Sequence, residues 1–477
     1  MPKLLITLLL TGSTLINGYT QEWIDLQYSY DSVLNIPYGT EVNFNGETET
    51  LLMDLYLPKC QIDQVELRRP LAIFIHGGAF ISGSKDEASI QQYCKNFAKR
   101  GYVTAAITYR LGFIADDQAW TCNFPNYNCV FATDTSEWIR AYYRGVQDAK
   151  GALRYLMNRN EQYMIDTSNV FISGESAGSF IAMGAALMDV DSERPIDTYA
   201  LSNAPAPNAN TMTCSHNSGQ VFTGPVTRPD LGGIQGSIEP STVDYTIKGI
   251  GNIFGAMFSD LLQENDPLKL KPAIYSFHQP CDLIVPINSK QALWGLDWCM
   301  TNGYGCFAIA NTPMAHGSQT ISNWNTNNSY GYSIENHFTA QTFPYNFAFG
   351  TASCLDQGNN PCHAYDNRTA RESELALFFS NLVTTGAICE TVSLHENGYQ
   401  FEIYPNPSHD ILTIRTSNEL IDQIIFRNIL GDQLNLNAEE IGNGKYSFNI
   451  SSLPKGSYIV EITLLNGDRT LVKFIHD

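Results

Sequence analysis

Apolar runs and amphipathic stretches alternate along the chain before about residue 390. Short strands with turns are expected at 25–57. A continuous apolar run, typical of a strand covered on both faces, lies at 70–75, and further strands are expected at 102–109, 170–173 and 273–277. Helical patterns lie at 86–99, 138–158, 177–187 and 372–382. This alternation predicts an α/β fold, a mostly parallel sheet flanked by helices.

Two stretches interrupt this alternation. Residues 205–252 are rich in Asn, Ser, Thr, Gly and Pro, and residues 300–361 are rich in Asn, Gly and aromatic residues. Long loop-like insertions in a compact domain are usually functional. We therefore expect both stretches to form lid or rim elements over a functional site.

The first twenty residues have the composition of a secretory signal peptide. Lys3 supplies a positive charge, residues 4–10 form an apolar run, and small or polar residues follow. We expect cleavage between about Gly18 and Gln21, and therefore a secreted or surface protein. A membrane anchor is the alternative, although the apolar run is short for a membrane span.

The pattern changes again near the C-terminus. Residues 398–477 consist of short alternating runs separated by turn dipeptides such as Asn443-Gly444 and Asn466-Gly467. These features predict a small C-terminal β-sandwich. The expected organisation is a signal peptide at 1–20, a larger domain at 21–390, a linker at 391–400 and the sandwich at 401–477.

Cysteine content and charge narrow the choice of compartment and partner. Three of the closely spaced cysteine pairs are Cys122 with Cys129, Cys299 with Cys306, and Cys354 with Cys362. In an oxidising compartment we expect such pairs to form disulfides, whereas a zinc site is less favoured because no Cys-x-x-Cys unit occurs. The cysteines number 11, so at least one is free or joined to another molecule. The net charge of −20 argues against nucleic acid as a partner, because an acidic surface repels phosphate.

The central chemical signal is Gly174-Glu175-Ser176-Ala177-Gly178, which follows an apolar strand and begins a helix of small residues. This is the context of a nucleophile elbow, a tight turn that exposes the serine Oγ above the sheet edge. The helix N-terminus offers N–H groups to a developing oxyanion. We therefore predict Ser176 as a nucleophile, with a plain structural turn as the alternative.

A second signal, His76-Gly77-Gly78-Ala79-Phe80, directly follows the first buried strand. Acyl transfer places negative charge on the former carbonyl oxygen, and glycines let backbone N–H groups approach it. We predict an oxyanion hole whose donors are Gly78, Ala79 and Ala177, with Gly77 shaping the turn. The alternative is a strand–loop connection without a role.

Together the two motifs resemble the α/β-hydrolase superfamily, in particular carboxylesterases with a His-Gly-Gly oxyanion loop. The resemblance covers roughly residues 40–385 and includes Tyr109-Arg110-Leu111-Gly112. It implies a triad in the chain order serine, acid, histidine. Ala79 departs from the third glycine of many relatives, but an alanine N–H can still donate.

The resemblance also implies the other two triad residues. Asp282 follows the strand 273–277 in a segment similar to the family's acid loop. The alternatives are that Asp282 is a solvated loop aspartate and that a glutamate is the acid. His363 stands shortly before the predicted helix 372–382, where relatives carry the catalytic histidine. His316 and His337 are the alternatives. We expect a Cys354–Cys362 disulfide to hold the His363 loop.

The tail resembles the C-terminal sorting domain of the bacterial type IX secretion system. The resemblance rests on Ile403-Tyr404-Pro405-Asn406-Pro407, Asn428-Ile429-Leu430-Gly431 and Leu453-Pro454-Lys455-Gly456-Ser457-Tyr458. It implies outer-membrane export, contact with the secretion machinery and removal of the tail. A carbohydrate-binding sandwich is the alternative.

The sequence thus predicts a secreted carboxylic-ester hydrolase that forms an acyl-enzyme on Ser176 and needs no metal or cofactor. The expected substrate is a small or polymer-borne ester. A serine peptidase with the same triad and a non-catalytic, hydrolase-like binding protein are the alternatives.

Overall fold

The computed structural model describes residues 23–59, 68–114, 135–204, 226–263, 269–295, 312–339, 347–348, 351–352, 362–384, 401–416, 421–428, 433–442, 445–464 and 469–476. The chain divides into two compact units, Met1–Cys389 and Glu390–Asp477. The predicted signal peptide and the pairs Cys122–Cys129 and Cys299–Cys306 lie outside the described residues. Within the segments given above, no helix has the length and apolarity to cross a membrane.

One large sheet organises the first unit. Its strands are β1 Ser29–Val42, β2 Thr48–Lys59, β3 Arg69–Ile75, β4 Val103–Ile107, β5 Ile165–Glu175, β6 Ile247–Ile253, β7 Ala273–His278 and β8 Ile334–Phe338. Their order across the sheet is β1-β2-β4-β3-β5-β6-β7-β8. Strand β2 runs antiparallel to β1 and β4, and all other neighbours are parallel. The predicted α/β-hydrolase fold class is confirmed.

Helices cover both faces of this sheet. The described α-helices are α1 Ala88–Lys99, α2 Thr135–Met157, α3 Ala177–Leu187, α4 Ser318–Asn327 and α5 Arg368–Ser380. Because successive strand residues point to opposite faces, β3 contributes to two cores. Leu71, Ile73 and Ile75 pack with residues of α2 and α3. Ala72 and Phe74 pack with residues of α1 and α5. This double coverage explains why the β3 sequence is an unbroken apolar run.

The two stretches predicted as loop insertions contain core elements, so that prediction is wrong in part. Strand β6 begins within 205–252, and α4 and β8 lie within 300–361. Glycines interrupt the apolar pattern of β6, so the sequence pattern does not indicate a strand there. A Cβ at Gly249 would lie 2.9 Å from the Phe171 ring, and a Cβ at Gly251 would lie 2.2 Å from Ser173 Oγ. The glycines therefore let side chains of β5 pack close to β6.

Shorter elements complete the first unit. Two-to-four-residue strands are Leu201–Ala204, Val226–Arg228, Ala256–Met257, Ser289–Gln291, Met314–Gly317, Phe347–Ala348 and Thr351–Ala352, and 3-10 turns are Asp191–Glu193 and Ile196–Thr198.

The second unit consists of two four-stranded sheets. One contains Phe401–Tyr404, Ile411–Thr416, Lys445–Asn449 and Ala438–Gly442, and the other contains Gln433–Leu434, Ile421–Asn428, Gly456–Leu464 and Arg469–His476. All their strand pairs are antiparallel. Buried residues from both sheets, such as Leu412, Phe448, Phe426 and Val460, form one core. This agrees with the predicted small β-sandwich.

Candidate active site

The Ser176 turn is shaped by close backbone packing around two glycines. Strand β5 ends at Glu175 and α3 begins at Ala177, which leaves Ser176 alone in the turn with φ 52° and ψ −121°. A Cβ on Gly174 would lie 2.2 Å from the Gly178 carbonyl carbon, and a Cβ on Gly178 would lie 2.2 Å from the Ile75 carbonyl oxygen. Only glycine fits either position, so the motif produces the strained turn of a nucleophile elbow.

The three residues predicted as a triad lie together. His363 Nε2 is 2.9 Å from Ser176 Oγ, and His363 Nδ1 is 2.7 Å from Asp282 Oδ2. Asp282 follows β7, and His363 precedes α5 by a short loop. The alternative histidines make other contacts: His316 Nδ1 lies 2.8 Å from Ser289 Oγ, and His337 contacts Glu335 and Glu374.

Asp282 is arranged to stay ionised. Its side chain is fully buried, and Oδ1 accepts hydrogen bonds from the N–H groups of Ile284 (2.8 Å) and Val285 (3.0 Å). Burial alone would raise the pKa of the carboxyl, but the neighbouring His363 and His278 hold this pKa below its usual value. The carboxylate can therefore fix the Nδ1–H tautomer of His363 and stabilise its imidazolium form.

The loop at 76–80 borders the same cavity as Ser176. Gly77, Gly78 and Ala79 line that cavity, and Ala177 is the first residue of α3. Positive φ angles at Gly78 (102°) and Ala79 (52°) turn the backbone away from the direction of β3. Backbone N–H groups in such a turn can face one point, as an oxyanion hole requires.

The side chain of His76 helps to hold this loop in place. Its ring stacks on Tyr109 at 4.4 Å between centroids, and Nδ1 is 2.8 Å from the Gly77 carbonyl oxygen. Burial lowers the pKa of His76 to about 4, so the imidazole is neutral at pH 7 and donates from Nδ1. Tyr109 donates its hydroxyl to the Gly77 carbonyl as well, at 3.0 Å. Two side chains thus fix one peptide unit of the loop.

The sequence patterns did not indicate a buried carboxyl that stands next to Ser176. Glu175 is 8% exposed, and it accepts hydrogen bonds from the hydroxyls of Tyr365 (2.6 Å) and Ser89 (2.9 Å). Burial raises the pKa of this carboxyl. The signal available in the sequence was its place inside the Gly-x-Ser-x-Gly motif, where the side chain of x follows a buried strand.

The triad opens into a cavity of about 810 Å³. One part of the wall is apolar, with Ile81, Phe254, Ile284 and Leu293. Another part is polar, with Glu87, Gln92, Arg368 and Thr369. Pockets that combine apolar walls with a few polar groups are typical of small-molecule sites. Among the described residues, no group of three or more His, Cys, Asp and Glu side chains could hold a metal ion.

The predicted Cys354–Cys362 disulfide is wrong. Cys362 is bonded to Cys281, with 5.5 Å between their Cα atoms, and a cysteine sulfur forms only one such bond. The two partners stand 81 positions apart in the sequence. They come together because the loops before Asp282 and His363 are neighbours in the fold. Cys354 lies outside the described residues, and Cys94 is a free, buried thiol.

Comparisons with known proteins agree with both resemblances. The BD-FAE family model matches residues 53–125 and 138–215. The model described as "Secretion system C-terminal sorting domain" matches residues 402–476.

Gut esterase 1 of Caenorhabditis elegans is 26% identical over 137 residues, which cover 29% of this chain and 20% of that protein. The match to the corresponding protein of Caenorhabditis briggsae is 25% identical over 137 residues and covers 21% of it, so the chain spans about a fifth of the curated relatives it matches.

Solved structures similar to this chain include two esterases. A truncated carbohydrate esterase from gut microbiota is 15% identical, with 75% of this chain and 97% of that chain covered and a TM-score of 0.38. Esterase B of Lactobacillus rhamnosis is 14% identical, with 74% and 86% covered and a TM-score of 0.36.

The first unit, with its mostly parallel sheet, thus contains the region that matches the BD-FAE family model, and the second unit contains the region that matches the secretion system C-terminal sorting domain.

Proposed function

We propose that the chain is an exported serine esterase that hydrolyses carboxylic esters through an acyl-enzyme on Ser176. The observation that carries this proposal is the pair of hydrogen bonds from Ser176 to His363 (2.9 Å) and from His363 to Asp282 (2.7 Å). These distances lie within the reach of general-base catalysis. Ser176 and His363 also line the cavity, where an ester carbonyl can approach Ser176 Oγ.

In the acylation step, His363 Nε2 accepts the hydroxyl proton of Ser176 while Oγ bonds to the ester carbonyl carbon. The carbonyl electrons move onto oxygen, and the N–H groups of Gly78, Ala79 and Ala177 stabilise the oxyanion, with Gly77 shaping the turn. When the tetrahedral intermediate collapses, the alcohol leaves with the proton from His363. Asp282 stabilises the imidazolium between these two proton transfers.

In the deacylation step, His363 removes a proton from water, and the resulting hydroxide bonds to the acyl carbon. The second tetrahedral intermediate releases the carboxylic acid, and Ser176 Oγ recovers its proton from His363. The cycle uses only groups of this chain, the ester and water.

The sorting domain indicates export to the cell surface or beyond, through the secretion machinery. We add the finer proposals that residues 1–20 direct the chain across the inner membrane and that the tail is removed after export. The substrate is then an extracellular ester, free or attached to a polymer.

The proposal is tested with the purified chain on p-nitrophenyl esters of rising acyl length, beside a panel of peptides and a fluorophosphonate probe. We expect ester hydrolysis and labelling at Ser176. Peptide cleavage without ester turnover would favour the peptidase alternative. The absence of labelling and of turnover would favour a non-catalytic binding protein.

A further inference from the structure

The loop that carries His363 is attached to the loop that carries Asp282 at more points than the triad requires. The triad hydrogen bond is one contact. The Cys281–Cys362 disulfide is another, and each cysteine directly precedes a triad residue. The side chain of Gln279 supplies further hydrogen bonds to the same loop.

The amide of Gln279 bonds the two peptide units around His363. Its nitrogen lies 2.7 Å from the Cys362 carbonyl oxygen and 2.9 Å from the Ala364 carbonyl oxygen, in the orientation that satisfies both groups. Because carbonyl oxygens only accept hydrogen bonds, the NH₂ side of the amide must face them, and it uses both of its donors. Gln279 is 1% exposed, so water does not compete for these bonds.

The backbone of Gln279 holds the acid loop at the same time. Its carbonyl oxygen accepts a hydrogen bond from the N–H of Asp282 at 3.0 Å. One residue thus bonds peptide groups next to the predicted general base and next to its carboxylate partner.

We propose that Gln279 is a positioning residue for His363 and that the Cys281–Cys362 disulfide is a second restraint on the same loop. This inference rests on the proposed esterase function. His363 lies on a loop without regular structure, and its Nε2 must stay within hydrogen-bond reach of Ser176 Oγ. Displacement of a reacting group by about 1 Å can lower the rate by roughly 100-fold.

The chain contains a matched control for Gln279. The amide nitrogen of Gln147 donates to two backbone carbonyls, those of Leu231 and Gly233, both at 2.8 Å. Gln147 is 3% exposed, and it does not line the catalytic cavity. Gln279→Leu and Gln147→Leu therefore both remove two hydrogen bonds from an amide nitrogen to backbone carbonyls at nearly the same burial, and only the first acts on His363. Gln147→Leu also removes the 3.4 Å hydrogen bond that Oε1 accepts from Arg110.

The experiment compares both variants with the wild-type full chain by thermal unfolding, by kcat and KM on p-nitrophenyl butyrate, and by the rate of fluorophosphonate labelling. We expect similar losses of Tm. For Gln279→Leu we expect kcat and the labelling rate to fall by about 10- to 100-fold with KM nearly unchanged, whereas Gln147→Leu keeps kcat within about twofold. Gln279→Met, which is unbranched like glutamine, replaces Gln279→Leu if that variant does not fold.

A second comparison tests the disulfide. We expect Cys281→Ser/Cys362→Ser to lower kcat, and Gln279→Leu to have a larger effect in that background, because each restraint compensates in part for loss of the other. Equal kcat values for Gln279→Leu and Gln147→Leu would reduce Gln279 to a structural role, while wild-type turnover would still support the esterase. A wild-type chain that neither turns over esters nor reacts with the probe would overturn both proposals.

Discussion

The Ser176 turn and the His363 loop are joined by the hydrogen bond between Ser176 Oγ and His363 Nε2, but different kinds of contact hold each of them in place. The Ser176 turn is fixed by backbone sterics: Gly174 packs against Gly178, and Gly178 packs against the backbone at the end of β3. The His363 loop is fixed by side chains from far along the chain, since the partner of Cys362 is 81 positions away. The proposed catalytic site thus combines a half fixed by close backbone packing with a half held by side chains.

The two halves should respond differently to change. The Ser176 turn depends on the absence of a few atoms, so adding one methyl group should disrupt it. The His363 loop depends on several side-chain contacts, so removing one should weaken catalysis by degrees. The predictions below separate these behaviours.

The largest expected effect is that of Ser176→Ala on turnover. Loss of the nucleophile should lower kcat for ester hydrolysis on the order of a million-fold, with Tm unchanged. Ser380→Ala, which removes a hydroxyl that donates to the Leu377 carbonyl within α5, is the control and should keep full activity. Ester turnover near the wild-type rate in the purified Ser176→Ala protein would refute the acyl-enzyme mechanism.

Asp282→Asn should lower kcat on the order of ten-thousand-fold, because the amide no longer holds the Nδ1–H tautomer of His363. Asp230→Asn, which alters a carboxylate bonded to Arg194 outside the cavity, is the control. A decrease of less than about tenfold for Asp282→Asn would assign the triad acid to another carboxylate.

Asp282 also gives a pH dependence of stability with a definite sign. Its pKa in the folded protein lies below the usual value. The stability it contributes is therefore present above the unfolded pKa of about 3.9, and it is lost as pH falls through the folded pKa. The free energies of unfolding of wild type and Asp282→Asn should converge as pH is lowered through this range. A constant difference from pH 7 to pH 3 would contradict the assignment.

Gly178→Ala tests the half of the comparison that is fixed by backbone packing. The new Cβ would meet the carbonyl oxygens of Ile75 and His76 at 2.2 and 2.4 Å, and backbone atoms cannot rotate away. We expect a loss of stability of about 3 kcal/mol and loss of labelling at Ser176. Gly233→Ala is the control, because a Cβ there has no neighbour within 4 Å. Equal Tm values for the two variants would show that the turn tolerates a side chain.

The same contrast explains what could be predicted from sequence. Helix α3 was predicted at 177–187 and lies at Ala177–Leu187, because the motif before it and its small apolar residues are local signals. Strand β6 was missed because its glycines serve packing against β5, which only the fold reveals. Pairing of Cys362 with Cys354 followed proximity in sequence, whereas disulfide partners are selected by proximity in space.

The roles of individual residues show the same difference between what the sequence indicates and what only the fold reveals. Ser176, Asp282 and His363 could be proposed because each stands at the end of a recognisable element, in the order the family uses. Gln279 carried no such signal, and the motif that contains Glu175 did not indicate a role for its side chain. Their importance depends on which groups they face, namely the carbonyls around His363 and the hydroxyl of Tyr365.

The smallest expected effect is that of removing the tail. All described residues that form the triad and line the cavity belong to Met1–Cys389, whereas Glu390–Asp477 has its own core. A chain that ends at residue 399 should therefore keep kcat and KM for p-nitrophenyl esters within about twofold of the full chain, while in the native host it should no longer reach the cell surface. A large decrease in kcat would mean that both halves of the active site also depend on the tail. Normal export of the shortened chain would contradict the role of residues 402–476 in sorting.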